Sequence, residues 1–199
     1  MADSPGFRPV ERDPDAEPTN LELMLAGQSY DPTDPELELL RERARRFLRE
    51  LAATTSEGAE RVRIVYSLFD LIGPDASVHP DLDVTYGRHV SAGERLTLGP
   101  GCRLLDSARI TFGDRVVLSA GVLIQTETRP LQAASRAEGI LRARPVEIGD
   151  DCWIGSRAVI MPGVTVGAGT VIGPGAVVTQ PVPAGVLAAG NPCQVIKPL

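Results

Sequence analysis

The chain has 199 residues, of which 43% are hydrophobic and only 4% aromatic, and it contains 20 Gly and 17 Pro. That length suits one domain with a sizeable core, or one domain with a small appendage, and the apolar fraction excludes a disordered chain. The net charge of -6 argues against a nucleic acid or an anionic membrane held by bulk electrostatics. Because aromatic side chains are scarce, the core must consist of small and β-branched residues, and the many Gly and Pro favour a repetitive, tightly turned β-structure.

The cysteines and the first residues bear on metal binding and cellular location. Cys102, Cys152 and Cys193 are odd in number and form no CxxC pair, which disfavours a disulfide framework and a zinc site. The N-terminal residues lack the apolar segment of a secretory signal, and no apolar run approaches the roughly 20 residues that a membrane span needs. The sequence therefore predicts a cytoplasmic protein with no metal, no nucleic-acid partner and no membrane partner.

The first third of the chain has a helical pattern. Residues 1–19 are rich in Pro, Asp and Glu and are expected to form a flexible tail. Residues 20–70 are expected to form a small helical module, whose main helix begins after the favourable N-cap Asp34 with Pro35 in its first position. Apolar residues recur at three- and four-residue spacing over residues 37–51, and the arginines between them are most simply explained as a solvated face.

From Ile72 onward an aliphatic residue recurs every six positions, with two shifts of two residues before the pattern becomes strict. Such a hexapeptide repeat is the sequence signature of a parallel β-helix. The axis of a narrow coil accommodates aliphatic side chains but not aromatic ones, which explains the composition. Residues 71–199 are therefore predicted to form the β-helix. Residues 126–145 interrupt the repeat and are predicted to protrude as a functional loop.

Three segments carry a family resemblance. They read MLAGQSYDPTDPEL, PVEIGDDCWIGSRAVIMPGVTVGAGTVIGPGAVV and GNPCQVIK. Together they resemble the helical domain, the repeat block and the terminal signature of the maltose/galactoside O-acetyltransferase family of hexapeptide-repeat acyltransferases. The resemblance covers most of the chain. It implies an all-β, left-handed parallel β-helix preceded by the helical module, and a homotrimer with active sites between subunits. It also implies that acetyl-CoA lies along the C-terminal coils while a sugar hydroxyl enters from the loop side.

The resemblance places a substitution at the centre of the site. In the family, a Thr-His-Pro segment of the loop supplies the general base, and the matching residues here are Thr128, Arg129 and Pro130. A guanidinium stays protonated near neutral pH and cannot act as a base. An Asn-containing segment of the family is replaced at Gly99 and its neighbours, so an amide expected at the acceptor site is missing. Losing a general base typically costs about 10²–10⁴-fold in rate, so ordinary acetyl transfer is in question.

The predicted cofactor end also departs from the family. Gln180 and Gln194 stand at positions that the resemblance implies to be basic, which weakens charge-assisted contacts with the phosphates of CoA. The cofactor therefore stays unknown, with acetyl-CoA implied by the resemblance. The candidate cofactor-binding residues are Thr165, Gly167, Ala168 and Lys197.

Other positions match those that contact the acceptor in the family. Asp31, Tyr86 and Asp106 match acceptor-side positions, and Trp153 lies near the expected cleft. Three of them have a structural alternative: Asp31 starts a turn, Asp106 caps a corner of a coil, and Trp153 packs at a subunit contact. The predicted substrate-binding set is Asp31, Thr128, Trp153 and Gly99.

Without the histidine, other side chains become candidates for proton transfer. His89 lies closer to the expected cleft than the second histidine, and Glu127 precedes Arg129 by two positions. Asp106 and Tyr86 complete the catalytic candidates. The planar fork of Arg129 suits a carboxylate or phosphate on a ligand. The alternative is that Arg129 forms a salt bridge with Glu127 or Glu138 and only holds the loop.

Three functions compete at this point. The favoured hypothesis is that the inter-subunit cleft performs non-standard chemistry on an anionic small-molecule metabolite, because the departures concentrate at the site while the scaffold motifs stay intact. The second is an acetyl-CoA-dependent O-acetyltransferase with a substitute base. The third is a non-catalytic trimeric protein that binds a ligand or serves as a scaffold.

Overall fold

The computed structural model describes residues 17–54 and 58–199. Most of the expected tail, residues 1–16, lies outside the described residues. The first helix, α1, spans Asn20–Leu25 and begins with a capping box: the Thr19 hydroxyl accepts from the Glu22 amide, and the Glu22 carboxylate accepts from the Thr19 amide. These reciprocal bonds satisfy two donors at the helix start and fix where the helix begins.

The main helix, α2, spans Pro35–Ala52, and it begins where the sequence predicted, after the N-cap Asp34. Every seventh residue of its apolar stripe, Leu37, Ala44 and Leu51, is completely buried. The helix α3, Ala59–Leu68, follows and packs against the second half of α2. The helical module thus covers the first coil of the β-structure with an apolar face.

The strands that follow are short and stack coil upon coil. The first three coils contain β1 (Leu71–Ile72), β2 (Ser77–Val78), β3 (Asp83–Val84), β4 (Val90–Ala92), β5 (Thr97–Leu98), β6 (Arg103–Leu105), β7 (Ile110–Phe112), β8 (Val117–Leu118) and β9 (Leu123–Gln125). After the interruption come β10 (Glu127–Thr128), α4 (Ala133–Ala137) and β11 (Arg142–Ala143). The last coils contain β12 (Val146–Ile148), β13 (Trp153–Ile154), β14 (Val159–Ile160), β15 (Thr165–Val166), β16 (Val171–Ile172), β17 (Val177–Val178), β18 (Val186–Ala189) and β19 (Gln194–Pro198).

Three sheets run along the stack, each built from every third strand of the coils. Their orders are β1-β4-β7-β12-β15, β2-β5-β8-β13-β16-β18-β19 and β3-β6-β9-β14-β17. All pairs between coils are parallel, and only β19 folds back antiparallel on β18. The aliphatic residue of each repeat points inward and is buried, so the chain is a parallel β-helix with a continuous aliphatic core. This confirms the predicted fold.

The coils differ in length at one edge only. In the last coils Ile148 pairs with Val166, eighteen residues later, which is three hexapeptides. In the first coils Ile72 pairs with Ala92, twenty residues later, and the same spacing recurs in the next coil. The additional residues all lie between the third sheet and the first, in residues 85–89 and 106–109. Residues 126–145 emerge from the same corner, and these three stacked segments are called the insertion edge below.

The interruption is more ordered than the predicted loop. Strands β10 and β11 form an antiparallel hairpin, with Glu127 opposite Ala143 and Thr128 opposite Arg142. The hairpin docks on the helical module, because Tyr30 and Leu141 exchange two backbone hydrogen bonds of 3.1 and 3.0 Å. Strands of two residues are too short to give a periodic signal, which explains why the sequence suggested only a loop.

Across residues 17–54 and 58–199, the structure has no helix with both the length and the apolar character needed to cross a membrane.

Candidate functional site

A cavity of about 610 Å³ lies between the hairpin, the helical module and a corner of the β-helix. Arg129, Arg142 and Arg144 all line this cavity, and none of the described residues that line it is acidic. The positive lining arises because β10 and β11 place Thr128 and Arg142 on the exposed face of the hairpin, while Ala143 on the other face is buried. The chain thus concentrates positive charge in one concave place, although its net charge is negative.

The three arginines have no acidic partner among residues 17–54 and 58–199. The Arg142 Nε donates to the Ser29 hydroxyl over 3.0 Å, which ties the cation to the helical module. The proposed salt bridge of Arg129 with Glu127 or Glu138 is not formed in this structure. These guanidinium groups therefore keep most of their donors for a ligand.

A second group of polar side chains lies on the buried face of the hairpin. The Ser107 hydroxyl, at the insertion edge, donates to Oε2 of Glu127 over 2.8 Å. The Tyr30 side chain is buried beside them, and burial raises its pKa to about 12. Its hydroxyl group is buried yet makes no hydrogen bond of normal geometry with any described residue. Since a buried polar group without a partner is uncommon and costly, this hydroxyl marks an unusual place in the core.

Asp106 is fully buried one residue before Ser107. Its Oδ1 accepts from the amides of Thr85 and Tyr86 over 3.0 and 2.8 Å, and its Oδ2 accepts from the His89 amide over 3.3 Å. Burial raises the pKa of Asp106 to about 7, against the opposing effect of these donors. All three contacts bind one coil of the insertion edge to the next, as expected of a carboxylate that caps a corner.

His89 is held by the same residue. Its Nδ1 lies 2.7 Å from the backbone oxygen of Asp106, and because that oxygen only accepts, Nδ1 must carry the proton. Burial lowers the pKa of His89, so the ring is neutral at neutral pH. The ring borders a separate cavity of about 260 Å³ that also contacts Arg88 and Arg109, not the cavity that Arg129 lines. Within one chain, His89 is thus separated from the three arginines.

Tyr86 connects this group to the helical module. Its ring centroid lies 5.2 Å from that of His89, and its hydroxyl accepts from Nη1 of Arg41 over 3.0 Å. Burial raises the pKa of Tyr86, so the hydroxyl stays protonated at neutral pH. The structure therefore brings Tyr86, His89, Asp106 and Glu127 together along the insertion edge, as a buried layer beneath the hairpin.

Other predicted site residues lie elsewhere. Asp31 is exposed, and its carboxylate accepts from the amide and hydroxyl of Thr33 over 2.8 and 2.7 Å, which lowers its pKa. Gly99 lies on the edge between the second and third sheets, where an added Cβ would approach the Leu118 oxygen to 3.0 Å. Trp153 is half exposed on the second sheet, and its indole donates to the Ser119 hydroxyl. A single chain does not place these residues in the arginine-lined cavity.

The candidate cofactor-binding residues lie on the last coils and the final strand. Thr165, Ala168 and Lys197 are exposed, and Lys197 pairs across the sheet with Leu187. Gly167 is close to the next coil, since an added Cβ would lie 2.3 Å from the Ala184 amide nitrogen. The described residues contain no group of three or more His, Cys, Asp or Glu side chains that could hold a metal ion.

Comparison with known proteins gives this arrangement a family. Residues 145–180 match the bacterial transferase hexapeptide model, and residues 23–73 match the maltose acetyltransferase hexapeptide capping motif. The chain is 34% identical to the galactoside O-acetyltransferase of Escherichia coli (strain K12), over 71% of this chain and 70% of that protein. It belongs to the maltose and galactoside O-acetyltransferase family.

Solved structures of family members are similar over almost the whole chain. A maltose O-acetyltransferase from Clostridium difficile 630 superimposes with a TM-score of 0.88 and 37% identity, covering 91% of this chain and 97% of that one. A galactoside acetyltransferase in complex with coenzyme A gives a TM-score of 0.87 and 31% identity, covering 92% of both chains. A hexapeptide-repeat acetyltransferase from Vibrio cholerae in complex with acetyl coenzyme A gives 0.85 and 32%, covering 91% and 98%.

The sequence alone did not identify several residues that the structure brings to the site. Arg142 and Arg144 join Arg129 through the hairpin, and Tyr30 and Ser107 join Glu127 beneath it. The two shifts of the repeat were a usable signal, since each marks a place where the chain needs extra residues at the same edge. They indicated where the site lies along the coils, but not which side chains meet there.

Proposed function

We propose that this protein is an acyltransferase that transfers an acetyl group from acetyl-CoA to the hydroxyl of a small molecule carrying a carboxylate or a phosphate. The observation that carries the proposal is the cavity in which Arg129, Arg142 and Arg144 meet without an acidic partner among the described residues. Family membership supports the acetyl transfer, and the cavity supports the charge of the acceptor.

The arginine cluster favours an anion for physical reasons. Three like charges in one concave place repel one another, and a bound anion relieves this repulsion. A guanidinium can donate two parallel hydrogen bonds to a carboxylate or a phosphate, and a hydrogen bond to a charged group is worth about 1.5–3 kcal/mol. A neutral sugar offers neither the charge nor the matched acceptor geometry. An acceptor with an acid group therefore fits this cavity better than maltose or a galactoside.

The donor side fits acetyl-CoA in part. The exposed Lys197 would meet a phosphate of CoA, and the open turn at Thr165 and Ala168 would border its pantetheine arm. Gly167 contributes a close contact between coils rather than a space for the ligand. We expect weaker binding of CoA than in a site with more cations, because Gln180 and Gln194 offer no charge to the phosphates.

The assembly is part of the same proposal. A homotrimer would bring residues from different edges of the β-helix into one cleft, including Gly99 and Trp153, which a single chain keeps away from Arg129. The half-exposed Trp153 next to Val117 on the second sheet gives an apolar strip suited to such a contact. Native mass spectrometry would measure the number of subunits directly. The cytoplasmic location stays a prediction.

A second candidate function is a CoA-independent reaction of an anionic small molecule, and the arginine at position 129 favours it. With a guanidinium where the family has its base, the cavity would bind the anionic molecule for a reaction that does not use CoA. The two functions differ in a measurable way, because only the first requires acetyl-CoA to bind and to be consumed.

The test compares charged and neutral acceptors with acetyl-CoA. We expect glucose 6-phosphate or gluconate to release CoA at least about 10-fold faster than glucose or maltose at equal concentration. Arg129→Ala should raise the KM for the charged acceptor about 10-fold or more, corresponding to one lost charge-assisted contact. Arg63→Ala is the matched control, since this exposed arginine lies on α3, away from the cavity.

Three results would count against acetyl transfer to an anion. Equal rates with charged and neutral acceptors would remove the role of the cavity. An unchanged KM in Arg129→Ala would remove the role of this residue. Binding of the charged acceptors without any binding of acetyl-CoA in calorimetry would replace the first function by the second.

A further inference from the structure

We propose that Glu127 is the general base of this enzyme and that Ser107 positions its carboxylate. The proposal rests on the function proposed above, since it names the group that takes the proton from the acceptor hydroxyl. It assigns the proton transfer to a residue of the hairpin that also carries Arg129.

The first support is the geometry of the carboxylate. Oε2 of Glu127 accepts from the Ser107 hydroxyl over 2.8 Å, whereas Oε1 has no described hydrogen-bond partner. The side chain is only partly buried, and its neighbours Thr128 and Arg129 both line the arginine-lined cavity. A carboxylate with one oxygen fixed by the protein and the other free is suited to accept a proton from a bound hydroxyl.

The second support is the buried hydroxyl of Tyr30. Burial raises its pKa to about 12, so it stays protonated and can donate, and Ser107 is among the groups that influence that pKa. The hydroxyl makes no such bond in this structure, but a small movement that let it donate to the Ser107 oxygen would leave Ser107 with one role, that of donor to Glu127. A buried hydroxyl without a hydrogen bond of normal geometry is destabilising by about 1–3 kcal/mol. A role in directing Ser107 would account for its retention in the core.

The third support is proximity along the chain: Glu127 does not itself line the arginine-lined cavity, but the next two residues, Thr128 and Arg129, do. Glu127 and Arg129 are two residues apart along an extended segment, about 7 Å from Cα to Cα. That span matches a small molecule whose acid group binds Arg129 and whose hydroxyl reaches Glu127. The other candidate bases fit less well: Oδ1 and Oδ2 of Asp106 are occupied by backbone amides, and His89 borders the other cavity.

The proposed step balances in atoms and electrons. The Glu127 carboxylate takes the proton of the acceptor hydroxyl, and the oxygen forms a bond to the carbonyl carbon of acetyl-CoA. The carbon–sulfur bond breaks, and the sulfur leaves with its electron pair as the thiolate of CoA. Glu127 then returns the proton to this thiolate, which yields CoA, the acetyl ester and the original carboxylate.

Several charged or titratable groups lie near Glu127. They are Tyr30 and Tyr86 from below, Arg41 through its contact with Tyr86, and the buried Asp106 next to Ser107. Asp106 is the principal competitor in a pH experiment, because its own pKa of about 7 would by itself give a change of rate near neutral pH. The experiment must therefore separate these two carboxyl groups.

The experiment measures kcat, KM and their pH dependence for the full chain with acetyl-CoA and glucose 6-phosphate or gluconate. We expect Glu127→Gln to lower kcat about 100-fold or more, with the KM of the acceptor changed less than about 3-fold. The acid limb of the rate profile should disappear in this variant. Glu127→Asp should restore part of the activity. Ser107→Ala should reduce kcat about 3- to 10-fold and move the acid limb to higher pH, since the charged carboxylate loses a donor.

The control and the opposing outcomes complete the test. Glu138→Gln makes the same charge change on an exposed residue of the same segment and should stay within about 2-fold of the wild type. If Glu127→Gln keeps more than about a third of the activity, or if its acid limb persists, Glu127 is not the base, while acetyl transfer to the anion stands. If the wild type releases no CoA with either charged acceptor, the proposed function fails first. Thermal unfolding of each variant verifies that it is folded.

Discussion

The two ends of the β-helix differ in how strictly they keep the six-residue period. The coils formed by β12–β17 keep it without interruption, and their inward residues, such as Ile160 and Val166, are completely buried. The first three coils also keep their aliphatic core, but they add residues at the insertion edge. The comparison shows that the repeat fixes the scaffold, whereas the departures from it supply the polar and charged side chains of the candidate site.

The difference is one of side-chain chemistry as well as length. Along the strict coils, the inward positions stack on apolar inward residues of neighbouring coils, as Ile160 does on Ile124 and Val178. At the insertion edge, Asp106, Ser107 and Thr126 are buried polar residues, each with a hydrogen-bond partner. A buried polar group needs a specific hydrogen-bond partner, so we expect substitutions at the insertion edge to impair function. Substitutions in the strict coils should act mainly on stability.

The largest expected effect comes from shortening one inward side chain. Ile160 is fully buried and pairs with Ile124 on one coil and Val178 on another. Ile160→Ala should lower the free energy of unfolding by about 2–5 kcal/mol, because it leaves a cavity in a column that cannot easily collapse. Denaturant unfolding measures this loss. A loss below about 1 kcal/mol would show that the strict coils are less tightly packed than described.

A second effect should appear as a pH dependence of stability that originates at the insertion edge. The raised pKa of Asp106, about 7, means that the folded chain binds this proton more tightly than the unfolded chain does. Its contribution to the free energy of unfolding is therefore greatest below about pH 4 and falls as the pH rises to 7, by about 3–4 kcal/mol. Asp106→Asn should remove this slope.

The measurement is denaturant unfolding of both proteins between pH 4 and pH 8. Other groups titrate equally in the wild type and in Asp106→Asn, so the difference between their free energies of unfolding at each pH is due to Asp106. A difference that stays constant with pH would mean that the three backbone donors keep the carboxylate ionised when folded.

The smallest expected effect concerns the unpartnered hydroxyl of Tyr30. Tyr30→Phe keeps the ring in its buried position and removes the polar group, so the free energy of unfolding should rise by up to about 1 kcal/mol. The same variant should reduce acetyl transfer if Tyr30 directs Ser107. A stabilised variant with undiminished kcat would show that the hydroxyl has no functional role, and a clear loss of stability would reveal a partner for it.

The scaffold was predictable from sequence because its signals are local and repeated. The positions from Ile148 onward each predicted an inward side chain, and Asp34 with Pro35 predicted the start of α2. The site was predictable only in part. Arg129 and Glu127 were recognised as candidates, but the partners Arg142 and Ser107 were not. Their contacts depend on how the hairpin folds back and how coils stack, and neither leaves a pattern within a short window of sequence.

The bridge between Tyr30 and Leu141 joins two segments that are more than a hundred residues apart in the chain. Detachment of the hairpin from the helical module would break both hydrogen bonds of this bridge and leave the backbone groups of Tyr30 and Leu141 without these partners. The module is thus the anchor that keeps the arginine-lined cavity assembled. The Leu141 amide should therefore exchange its hydrogen slowly while the hairpin stays docked. Faster exchange at this one amide would indicate that the hairpin has separated from the helical module.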